Sequence, residues 1–72
     1  MRELRFTLHL GADELLRWYR GAARDVFAVS DEGLRFQFPA NVLQRFVTEE
    51  GVHGRFAISF DEQHRFAGIR RI

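Results

Sequence analysis

Residues 3–10 read ELRFTLHL, a strict alternation of polar and apolar side chains. A period of two is the signature of a strand with one buried face, so Leu4, Phe6, Leu8 and Leu10 belong to a core. Glu3, Arg5, Thr7 and His9 then point away from it. The same period returns in VHGRFAISF over residues 52–60. There Val52, Gly54, Phe56, Ile58 and Phe60 face inward, and His53, Arg55, Ala57 and Ser59 outward.

The segments between them supply the rest. Gly11 breaks the first strand, and ADELLRWYR carries Leu15, Leu16, Trp18 and Tyr19 at helical spacing. Asp13 and Glu14 near its start and Arg17 and Arg20 near its end complement the helix dipole, and Gly21 is the expected stop. DVFAVS, residues 25–30, is apolar on both faces: Val26 and Ala28 on one, Phe27 and Val29 on the other. A strand of that kind is covered on both sides by helix, sheet or another subunit. SDEG makes a tight turn with Gly33 placed for a positive φ. LRFQF follows, with Leu34, Phe36 and Phe38 inward, to complete a hairpin.

Pro39 ends that strand and suits the first turn of a helix, because it has no N–H to give a ladder. ANVLQRF then lays Val42, Leu43 and Phe46 on the core. TEEG and DEQH read as turns, and RFAGIRRI as a last strand whose register the sequence leaves open. Its paired arginines suggest a bulge or an exposed edge. The expected fold is α+β. It has a small, curved, mostly antiparallel five-stranded sheet, barrel-like, with one helix between strands 1 and 2 and a short helical turn between strands 3 and 4. Residues 1–72 form a single domain.

A chain of this length buries about 60% of its unfolded surface, so its core must be dense. Eight phenylalanines supply the area that disulfides cannot, there being no cysteine. No apolar run reaches the ~18 residues of a membrane span. MRELRF lacks a secretory h-region, which makes the cytoplasm the expected location.

Along the chain, Leu16, Trp18-Tyr19 and Gly21-Ala22 precede Phe38-Pro39-Ala40, Leu43 and Phe46, and then Gly51-Val52, Gly54 and Phe56. With Phe6, Leu8, Leu10 and Gln37 these resemble the bacterial domain of unknown function 2835 family, over nearly the whole chain. The PAxxLxxF and GVxGxF pair is the most specific part. The resemblance implies a short single-domain protein with no established activity and no catalytic or binding residue to carry over.

Chemistry is sparse. Ser30 and Ser59 have no histidine fixed nearby, and the acids fall in pairs at turns and helix starts, where solvated carboxylates are ordinary. No enzyme, cofactor or metal is expected, since His9, His53 and His64 lie in separate segments without ligand spacing. All eleven basic residues are arginine, and the net charge is +1. Outward projection puts Arg5, His9, Arg35, His53 and Arg55 on a basic face nearly free of acids, the candidate surface for a partner. The first expectation is a non-enzymatic interaction module that binds a protein partner or itself, as a homodimer. Nucleic acid is the alternative, although the face lacks exposed aromatics for stacking bases. A third reading is cyclic-di-GMP, from RGAAR at 20–24 and AVSDEG at 28–33. It lacks the acid or amide at Ala28 that the usual motif requires.

Overall fold

The computed structural model describes residues 1–19 and 25–72, the side chains of residues 17–19 excepted. Strand β1 (Arg2–Leu10) leads into helix α1 (Ala12–Tyr19), then β2 (Asp25–Val29) and β3 (Arg35–Pro39). A 3₁₀ helix (Ala40–Phe46) connects to β4 (Val52–Phe60) and β5 (Phe66–Arg71). The class is α+β and every strand pair is antiparallel. Among the described residues no helix is long and apolar enough to cross a membrane.

The barrel-like five-stranded sheet does not form. The strands divide into a three-stranded sheet, β1-β4-β5, and a separate β2-β3 hairpin. Among the described residues one backbone hydrogen bond joins the two, from the Asp31 N–H to the Arg5 carbonyl at 2.8 Å. At the far edge, the Ile69 carbonyl of β5 accepts from the Arg45 guanidinium of the 3₁₀ helix. The β1 edge thus meets a turn and the β5 edge a side chain. Neither is offered a continuous strand, so the sheet stays open.

Local chemistry explains each element. The N–H groups of Glu14 and Leu15 turn back to the Gly11 carbonyl at 3.1 and 3.2 Å, starting α1 where the alternation stops. Leu15 is buried while Leu16 is half exposed. The expected packing of Trp18 and Tyr19, and the helix end at Gly21, lie outside the described residues. In the β2–β3 turn Gly33 has φ +85°, as its place in SDEG requires. The Ser30 hydroxyl accepts from the Leu34 N–H at 3.1 Å, which closes the turn. Leu34 is not the buried residue expected of it, because it sits at the turn mouth and is 37% exposed.

Pro39 ends β3, with φ −64° and ψ 135°, and the 3₁₀ helix places Leu43 in the core. Phe6 is the hub between the two layers. Its ring centroid lies 5.1 Å from Phe36, 5.8 Å from Phe38 and 5.9 Å from Phe56. Phe46 completes the cluster, edge-on to Phe56 at 5.0 Å. Contacts of this kind add about 0.5–1.5 kcal/mol per pair to the burial of the rings themselves. Aromatic packing, rather than strand pairing, therefore holds the hairpin against the sheet.

The last strand pairs with β4, Arg71 opposite Phe56 and Ile69 opposite Ile58. It is an edge strand, as its arginines suggested. The irregularity falls at Ser59/Phe60, however, at the other end from those arginines. There Asp61 organises the β4–β5 turn, its Oδ1 accepting from the N–H groups of Gln63 and Arg65 at 2.8 and 2.9 Å.

Candidate functional site

The outward face of β1-β4-β5 is built by cross-strand pairs. Glu3 lies opposite Ser59, Arg5 opposite Ala57, Thr7 opposite Arg55, and His9 opposite His53. Arg70 joins the row beyond Ala57. The Arg5 carbonyl faces away from β4, toward Asp31. By the alternation of a strand, the backbone groups of Thr7 and His9 do the same. These are the closely spaced, non-hydrogen-bonded pairs of an antiparallel ladder, so their side chains come nearest to one another.

This face is not poor in acids. Asp31, assigned by sequence to a solvated turn, reaches across from the hairpin to Arg55. The Arg55 Nη1 donates to Asp31 Oδ1 at 3.2 Å and to Thr7 Oγ1 at 2.9 Å, and Nη2 donates to Oδ2. The bond from Arg55 holds the Asp31 carboxyl below the usual aspartate range, against desolvation, with the charges of Arg55 and Arg5 adding to it. Glu3 is shared between Arg5, at 3.6 Å, and Arg70, at 3.3 Å. Between those arginines Ala57 is 1% exposed although it points outward, so longer neighbours cover its methyl group.

Four of the five sequence candidates thus share a surface: Arg5, His9, His53 and Arg55. Arg35 does not join them. It lies on β3, in the other sheet, opposite Val29. It lines a cleft of about 260 Å³ with Arg2, Leu4, Phe36, Phe60 and His64. Alternation predicted its direction relative to its own strand correctly. It could not report that the strand belongs to a different sheet.

His9 and His53, 44 residues apart, are placed on one face by alternation, and the strand register makes them direct neighbours, their Nδ1 atoms 3.3 Å apart. His53 is fixed by its other nitrogen, with Nε2 2.9 Å from the Glu50 carbonyl. His64 is remote from both, in the β4–β5 turn, where its N–H meets the Asp61 carbonyl.

The outer face of the hairpin was visible in the sequence as the second apolar side of DVFAV, and it is uncovered. Phe27 is 77% exposed and Val29 54%, while Val26 is buried beneath. Gln37 lies opposite Phe27 and Arg35 opposite Val29.

Residues 2–72 match the model of a family described as protein of unknown function, DUF2835. The chain belongs to that family. No curated protein and no solved structure matches it. In this DUF2835 chain the two most specific segments have clear structural work. Pro39, Leu43 and Phe46 carry the 3₁₀ helix onto the core, and Val52 and Phe56 anchor β4 against it. The features that face solvent, namely the histidine pair, the Asp31–Arg55 bridge and the Phe27 face, lie outside those segments or between their core positions.

Proposed function

We propose that this DUF2835 chain is a non-enzymatic, cytoplasmic interaction module that self-associates as a homodimer through the outer face of its β2–β3 hairpin. The observation that carries the proposal is Phe27, exposed at the centre of that hairpin with Val29 beside it. A phenylalanine left in water forgoes about 1.5–3 kcal/mol that burial would return.

Charge argues that the occupant is a second copy. Asp25 stands at one end of the outer face and Arg35, beside Val29, at the other, with Phe27 and Gln37 between them. A two-fold axis through Phe27 lays the apolar centre on itself and brings each Arg35 toward Asp25 of the second copy. Such a face is self-complementary, as an isologous interface requires.

The non-enzymatic reading draws support from what the polar groups already do. Asp31 bridges to Arg55, Glu3 to Arg5 and Arg70, Asp61 holds a turn, and the buried Ser30 hydroxyl serves another. Nucleic-acid binding has less behind it, because phosphates would compete with Glu3 and Asp31 for the same guanidinium groups. Of the cyclic-di-GMP motif, RGAAR lies outside the described residues, and AVSDEG is occupied in the hairpin and its turn.

Light scattering at micromolar concentration tests the dimer. The wild-type chain is expected at twice the monomer mass, and Phe27→Asp at the monomer mass with an unchanged far-ultraviolet circular dichroism spectrum. A wild-type protein that stays monomeric overturns the proposal, as does a folded Phe27→Asp variant that remains dimeric.

A further inference from the structure

We infer that His9 and His53 form a chelating site for a borderline divalent transition-metal ion such as Zn²⁺, Ni²⁺ or Cu²⁺. The inference rests on the geometry of the two rings and is independent of the dimer.

Glu50 offers His53 a carbonyl, which can only accept, so His53 Nε2 carries the proton in that 2.9 Å bond. Neutral His53 therefore turns a lone pair outward at Nδ1. That atom faces the Nδ1 of His9 at 3.3 Å, with the two rings inclined at 36°. The separation is long for a hydrogen bond, which favours about 2.9–3.0 Å. It equals the edge of a tetrahedron around a metal, since two metal–nitrogen bonds of about 2.0–2.1 Å at the tetrahedral angle set their nitrogens about 3.3–3.4 Å apart.

Three features prepare the pair. The histidines occupy directly opposed, non-hydrogen-bonded positions in the β1–β4 pairing, so backbone register sets their spacing. The bond from His53 Nε2 to Glu50 is the outer-shell contact that orients a metal-bound imidazole and selects its tautomer. Arg55, the next outward residue on β4, is paired with Asp31, and the Arg71 guanidinium, bonded to the His53 carbonyl, lies over the inward rings of Phe56 and Phe46.

Metal binding calls for His9 in the tautomer protonated at Nε2, which leaves both Nδ1 lone pairs for the ion. Nitrogen-only donors exclude Mg²⁺ and Ca²⁺ as the preferred occupants. Among the described residues no group of three or more His, Cys, Asp or Glu gathers to hold a metal. The protein thus supplies two ligands, and water completes the shell.

Isothermal titration of tag-free protein with Zn²⁺, and separately with Cu²⁺, tests the site. One ion per chain is expected. Either His9→Gln or His53→Gln should weaken binding at least about tenfold, the lower end of what loss of an outer-shell partner alone costs. His64→Gln, in a distant turn, should leave it unchanged. Both histidines of the pair are exposed, so the variants keep the fold, which circular dichroism checks. Absence of binding to the wild type, or wild-type affinity in either the His9 or the His53 variant, overturns the inference.

Discussion

Gly54 and Arg71 show how much one position can depend on a distant one. Gly54 has φ +140°, outside the range that side chains adopt comfortably, and a Cβ there would collide with the Arg71 guanidinium. That guanidinium occupies the gap, donating to the His53 carbonyl at 2.8 Å and lying 5.0 Å above the Phe56 ring and 5.7 Å from that of Phe46. The side chain that fills the space beside this inward-facing glycine is an arginine seventeen positions later. The two terminal arginines therefore part company, Arg70 to Glu3 outside and Arg71 into the gap. Gly54→Val is expected to cost about 1–3 kcal/mol, from a strained backbone and a displaced guanidinium. In an Arg71→Ala background the same change should cost less, because only the backbone strain remains. Urea denaturation of the four proteins measures both, and equal costs in the two backgrounds would show that Arg71 does not fill the gap.

At the scale of elements, the turn of the β2–β3 hairpin adds a polar tether to the aromatic packing that holds it against the sheet. Asp31 gives its N–H to Arg5 and its carboxylate to Arg55, so one residue stitches the hairpin to two strands of the other sheet. Because the folded Asp31 binds its proton less readily than a free aspartate, the unfolded chain is protonated first as pH falls. The contribution is whole above the ordinary aspartate value of about 3.9, and it is lost as pH drops through the lower folded value. Asp31→Asn should therefore flatten the acid limb of stability against pH, most clearly at low salt, since the pair is open to solvent. Denaturation midpoints from neutral pH down to the carboxylate range check this, and superimposable profiles for the two proteins would remove the bridge from the account.

The whole molecule is a thin two-layer body whose layers meet through rings. Its Cα radius of gyration is 11.9 Å, close to the about 11 Å expected of a compact chain of this length. Domains this small are marginally stable, so burying an exposed face against a copy changes their apparent stability appreciably. Association through Phe27 predicts a thermal midpoint that climbs with protein concentration for the wild type and stays constant for Phe27→Asp. Scanning calorimetry over a wide concentration range reads the difference, and a wild-type midpoint independent of concentration contradicts dimerisation.

The sequence by itself determined the local elements. Alternation marked β1 and β4 and named their inward residues. Pro39 marked the end of β3, Gly33 the hairpin turn, and Leu43 and Phe46 the plug between β3 and β4. Each of these depends on backbone propensity or on a period carried within a few residues. Tertiary structure alone decided which edges meet. It divided five strands into two sheets, took Arg35 off the face of Arg5 and Arg55, and sent Asp31 across to complete that face. It set His9 beside His53 and left Phe27 uncovered. A periodic pattern states which side of a strand is apolar, but not which strand lies next to it. That choice comes from packing the phenylalanine cluster around Phe6, which draws on β1, β3, β4 and the 3₁₀ helix at once.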